Sequence, residues 1–241
     1  MEWREDGILL TARRHGEAAA LIEAFTHGHG RHAGIVAGGG GRRLRPVLQP
    51  GAVLDLTWRA RRADALGSFR VEARAAPWRA LLDDADALAA LTSATALLSF
   101  ALPERAPYPR LFALSEALIG ALGAEPDWPA RYLRWELALL AETGFGLDLS
   151  ACTVTGAREG LAYVSPRTGR AVSAGAAGGY APRLLPLPAC LAGETAGTPG
   201  EVAAGLRTTG HFLHHHLAPA LGERPLPAAR ARLVARLSVQ G

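Results

Sequence analysis

Three arginines, Arg42, Arg43 and Arg45, follow a run of four glycines, Gly38 to Gly41. A second group, Arg59, Arg61 and Arg62, closes the segment Ala52 to Trp58, in which apolar and polar side chains partly alternate. Arg13 and Arg14 end a short apolar run that begins at Gly7, and Arg31 opens another. Guanidinium groups are permanently charged and present a planar fork of donors that fits phosphate, while glycine lets backbone approach an anion closely. The chemistry open to these nine arginines is the holding of a polyanion, with affinity that falls steeply as salt rises. The plainer reading of such a charge run is a solvated basic face. Asymmetry weighs against it: residues 1–79 hold 13 arginines against 8 acids, and residues 80–241 hold 13 against 14. The whole net charge of +4 therefore belongs to the first part of the chain. Between positions 31 and 62 there are seven arginines and one acid, Asp55.

Other chemistries find less support. The chain has no lysine, which excludes Schiff bases, a P-loop lysine and a Ser–Lys dyad, although a GC-rich genome would give the same composition. His211, His214, His215 and His216 form an H-x-x-H-H-H cluster in a helical pattern. Positions 211 and 215 share a helix face and could bind a metal. The apolar neighbours Phe212, Leu213 and Leu217 instead favour packing, and the Glu of an H-E-x-x-H base is missing. The glycine run lacks the rest of a phosphate-loop pattern and reads as a mobile loop. No G-x-S-x-G accompanies the histidines. Asp83, Asp84 and Asp86 read as helix-opening acids. Of the tryptophans, Trp58 is the one singled out for stacking on a base. Cys152 and Cys190 make no disulfide framework. The charged start and the lack of an apolar stretch of ~18 residues predict a soluble, cytoplasmic chain with no membrane partner.

These residues need elements to place them. Gly7 to Arg14, Ala18 to Thr26, Arg31 to Ala37, Ala52 to Trp58 and Gly67 to Ala75 are five candidate strands. The second is strand or helix by pattern alone, and the turn at His27 to Gly30 favours a hairpin. The last alternates clearly, with Phe69, Val71 and Ala73 opposite Arg70, Glu72 and Arg74. Five short strands in one region suit a small Greek-key barrel of the OB-fold type. After Pro77 the pattern turns helical over Leu81 to Leu102, Pro109 to Leu122, Pro129 to Thr143, Pro199 to Leu221 and Pro227 to Leu237, with an irregular segment at about 147–191. The expected architecture is α+β and multidomain: an OB-fold DNA-binding domain over 1–79 and a mainly helical domain over 80–241.

The order of these pieces resembles the RecO family of bacterial recombination mediators. The resemblance is carried by EDGILLTARRHGE, by GIVAGG with its trailing arginines, by LQPG before a strand, by SFRVEA, by LDLSACTVTGAREGLAYVSPRTGRAVS and by the tail LPAARARLVARL. It implies an N-terminal OB-fold, binding of single- and double-stranded DNA, and annealing of complementary strands. It also implies partnership with RecR and with single-stranded-DNA-binding protein in loading recombinase on gapped DNA. Many family members carry a four-cysteine zinc site in the loop after the third long helix. Here Cys152 is followed at the partner position by Thr155, and no cysteine lies near Gly169 to Gly175, so no zinc or other cofactor is expected. The chain is read as a non-enzymatic DNA-binding mediator. Two alternatives remain: an OB-fold interaction scaffold with incidental DNA binding, and a metal-dependent hydrolase using the C-terminal histidines.

Overall fold

Side-chain alternation with a period of two sorts the first 75 residues into strands with one buried face. The computed structural model describes residues 1–62, 64–193 and 195–239. The strands are β1 (Glu2–His15), β2 (Ala19–Thr26), β3 (Gly30–Val36), β4 (Val53–Arg59) and β5 (Ser68–Ala75). They close into a barrel in the order β1-β2-β3-β5-β4. All pairs are antiparallel except β3 with β5, which meet in parallel at Ile35 and Ser68. β1 serves two neighbours: its first half pairs with β4, its second with β2, and Gly7 belongs to both ladders. Leu9, Ile22, Leu54, Leu56, Trp58, Phe69 and Val71 point inward, joined by Leu48 from the β3–β4 connection.

The change from strand to helix falls between Ala75 and Ala85. Compact packing divides elsewhere, after Ala124, so that α1 (Ala85–Ala101) and α2 (Pro109–Ala121) sit in one unit with the barrel. Asp84 caps α1, accepting from the amides of Asp86 and Ala87 at 3.1 and 2.9 Å. That satisfies two of the orphan donors at a helix start.

The second unit, Glu125–Gly241, is built on α3 (Trp128–Glu142), α6 (Pro199–Phe212) and α8 (Ala228–Val239). The segment expected to be irregular holds a small sheet of β6 (Leu161–Val164), β7 (Ala171–Ser173) and β8 (Leu185–Pro186), with the single-turn helices α4 (Ala174–Ala177) and α5 (Ala189–Ala192). A capping box at Thr198 and Glu201 starts α6. A π-helical turn at Leu213–Leu217 and the short α7 (Ala218–Ala220) follow it. In the core of this unit Glu136 is fully buried. Arg230 grips it with two bonds of 2.8 and 2.9 Å, and the hydroxyls of Tyr132 and Thr209 donate at 3.0 and 2.6 Å. No described helix is long and apolar enough to cross a membrane.

Candidate nucleic-acid interface

Two concavities on the barrel are lined by arginine, and their charge separates them. The first, of about 360 Å³, is formed by Ala12, Arg13, Arg14, Ala20, Gly39, Gly40, Arg45, Leu48, Gln49 and Pro50. It holds three guanidinium groups and no acid. The second is larger, about 470 Å³, and balances Arg4, Arg59 and Arg70 against Glu2, Asp55 and Glu72. Asp55, 4% exposed, takes a bidentate pair from Arg4 and a further bond from Arg74, which holds its carboxyl below the usual carboxylate range. Arg59 pairs with Glu2 at 2.8 Å. A polyanion entering this groove meets no net charge, whereas the cleft at Arg45 offers three uncompensated cations.

The cleft is shaped by the glycine run. Gly39 packs so tightly that a Cβ there would sit 2.7 Å from the Ala20 Cβ, so only glycine lets this turn lie against β2. The Gly40 amide donates to the Ala18 carbonyl at 2.9 Å, and those of Gly41 and Arg45 to Gly38 and Gly41 at 2.9 and 3.0 Å. The expectation of a mobile loop is therefore corrected: the segment is a hydrogen-bonded chain of turns anchored by buried Leu48. Arg14 is steadied by the carbonyls of Gly16 and Glu17, at 3.3 and 3.2 Å. Ala37 lines the balanced groove while Gly39 and Gly40 line the cleft, so the two concavities lie within about 10 Å along the chain.

The remaining candidate arginines divide. Arg42, Arg43 and Arg61 are exposed, and no ion pair holds them among the described residues. Arg62 pairs with Asp64 at 2.6 Å on the surface. Arg31 is a correction. Its side chain is 15% exposed and is held by Glu23 at 3.1 Å, with Glu104 at 3.9 Å, while its Nε donates to the Leu102 carbonyl at 2.8 Å. It is largely covered, and its charge is offset by these carboxylates. Trp58 is a second correction: it is 2% exposed and its indole N–H donates to the Leu66 carbonyl at 3.2 Å, so it belongs to the core and cannot stack on a base. The alternation Leu54, Leu56, Trp58 already carried that signal. Gly39 and Gly40 of the cleft lining belong to the glycine run weighed in the sequence, whereas Ala12, Ala20 and Gln49 were not among the residues the sequence singled out.

The other clusters are occupied by packing. His211 and His216 both place Nε2 on the Pro166 carbonyl, at 3.1 and 3.0 Å, and since a carbonyl only accepts, both rings carry their proton on that nitrogen. Burial first, and the neighbouring histidines next, lower the pKa of His211. Among the described residues no group of three or more His, Cys, Asp or Glu is placed to hold a metal. The zinc site of the family does not fit this chain. The Cys152 sulfur accepts from the Ser173 amide at 3.3 Å and from its hydroxyl at 3.5 Å, and Thr155 occupies the partner position. Those hydroxyl and amide bonds bring the thiol down to about 6. One thiolate and two hydroxyls are not a tetrahedral thiolate set. Cys190 packs instead on Gly197.

A closed five-stranded barrel with an acid-free arginine cleft, followed by a helical unit, defines an α+β protein whose open face suits a polyanion. Residues 1–75 match the family model described as Recombination protein O N terminal, and residues 82–225 match Recombination protein O C terminal. A protein named DNA repair protein RecO from Ruegeria sp. is 56% identical over 238 residues, 99% of each chain. Proteins of the same name from Cereibacter sphaeroides and Jannaschia sp. are each 57% identical, over 241 and 240 residues, covering 99% of both chains and 100% and 98% respectively. The chain belongs to the RecO family of DNA repair and recombination proteins.

Proposed function

We propose that this protein is a DNA-binding recombination mediator whose barrel, read as an OB-fold, holds the backbone of single-stranded DNA in the cleft of Arg13, Arg14 and Arg45. The observation that carries the reading is the absence of any carboxylate among the residues lining that cleft. The strand order and the parallel closure of β3 on β5 support the OB-fold assignment. Exposed Arg42, Arg43 and Arg61 extend the cationic surface for a longer strand or a duplex, while Arg59 and Arg62, paired with acids, contribute less. Annealing follows from the same physics: guanidinium groups screen the repulsion between two backbones, so complementary strands meet without any bond being made or broken. Membership of the family extends the reading to a cytoplasmic role with RecR and single-stranded-DNA-binding protein, loading recombinase on gapped DNA.

Titration of labelled single-stranded DNA tests this. Changing Arg13, Arg14 and Arg45 together to Ala should weaken binding roughly 10- to 100-fold at moderate salt and flatten the logarithmic salt dependence by about 2. Unchanged affinity and slope would favour an interaction scaffold instead.

A further inference from the structure

The connection between α1 and α2 crosses the barrel as a strap. At its centre Arg105 has φ 62, a left-handed conformation that costs a non-glycine residue of the order of 1 kcal/mol. The strap is held there along the start of β3. The Arg105 amide donates to the Arg31 carbonyl at 2.7 Å, and Arg31 returns its Nε to Leu102 at 2.8 Å. Gly30 lies so close to the Ala106 carbonyl that no side chain fits between them.

This backbone aims the Arg105 side chain at the β4–β5 connection. One guanidinium nitrogen donates to the Ala65 carbonyl at 2.7 Å, and the group lies 5.9 Å from the Trp58 ring centroid. Trp58 in turn holds Leu66 through its indole N–H. Ala65 and Leu66 form the stem of the connection whose outer part carries Arg61 and Arg62, both exposed. Among the described residues of that outer part, the Ala65 amide donates to the Arg62 carbonyl at 3.2 Å and closes a turn.

We propose that Arg105 is a positioning residue for the β4–β5 connection. It clamps the stem through Ala65 and Trp58 and so sets where Arg61 and Arg62 meet a nucleic-acid backbone, without touching the ligand itself. The positional effect stands alone, and its consequence for binding rests on the DNA reading of the barrel.

Arg105→Gly is the sharpest variant, because glycine takes the left-handed backbone freely and the clamp is removed without backbone strain. Native-state trypsin cleavage after Arg61 and Arg62 should accelerate about tenfold, the equivalent of one lost hydrogen bond, while cleavage after Arg42 and Arg43 stays unchanged. Arg105→Lys, which keeps one donor and the charge, should give an intermediate rate, and it carries the measurement if the glycine variant does not fold. Equal acceleration at both arginine groups, or none at either, overturns the proposal. In DNA titrations, Arg105→Gly added to Arg61→Ala/Arg62→Ala should cost nothing further. A fully additive loss would show that Arg105 acts directly on the ligand and would also overturn it. If the connection loosens while Arg61→Ala/Arg62→Ala leaves DNA affinity untouched, the clamp stands and it is the use of this loop for DNA that fails.

Discussion

Arg230 of the helical unit and the cleft arginines of the barrel unit use one side chain in opposite ways. In the helical unit Arg230 is 8% exposed and both arms of its fork are committed to a carboxylate with no solvent contact. In the barrel unit Arg13, Arg14 and Arg45 stand exposed around a cleft without an acid. Buried polar atoms divide the same way. Glu136 in the helical unit is bonded by three side chains, whereas neither ring nitrogen of His32 in the barrel, 4% exposed, has a hydrogen-bond partner among the described residues. His32 instead lies edge-on to Trp3 and Trp58, with ring centroids 5.2 and 4.7 Å away. A paired guanidinium holds a fold together, and an unpaired one is available to a ligand. Residue type alone does not distinguish them.

The largest expected effect tests the paired side. Arg230→Ala leaves a buried charge at Glu136 and should lower the unfolding free energy by about 3–5 kcal/mol in urea titrations. A loss below about 1 kcal/mol would erase the contrast between the units. On the unpaired side, the triple change at Arg13, Arg14 and Arg45 should weaken DNA binding roughly 10- to 100-fold while shifting Tm by no more than about 2 °C. A large fall in Tm would show that these arginines are structural after all.

Acid comes next. Burial, followed by the nearby charge of Arg105, depresses the pKa of His32 to about 4. The folded state therefore prefers the neutral ring. Stability is full above the unfolded value near 6.5, falls as pH drops from there towards 4, and levels below it, for a loss of about 1–3 kcal/mol. His32→Phe should flatten that part of the pH–stability curve, since an apolar ring needs no partner. A curve unchanged in shape would place the acid sensitivity elsewhere. The smallest effect belongs to the balanced groove: Arg59→Ala with Arg70→Ala should change DNA affinity less than about threefold, because each is already offset by a nearby carboxylate.

Much of the fold was legible because strand alternation is local. Phe69 and Val71 against Arg70 and Glu72 announce a half-buried strand from eight residues alone. The opening prolines and Asp84 likewise mark helix starts within one turn. What depends on distant partners was not legible. Arg31 reads as one more cation until Glu23 and Glu104 close on it, and the second of these lies beyond the barrel sequence. The glycine run reads as slack because glycine gives no sign of how close its neighbour will come, here the Ala20 Cβ. The sheet of β6, β7 and β8 was missed because strands of four, three and two residues are too short to show a period.

The cleft has one further property, and it follows from the chain's lack of lysine. Guanidinium groups keep their proton throughout the range in which proteins survive, and they offer no amine to acylating enzymes or reagents. Whatever this surface grips, the strength of the grip cannot be adjusted by acetylation or by a shift in cellular acidity. What remains is control through ionic conditions, through a competitor for the same surface, or through methylation of the guanidinium groups themselves.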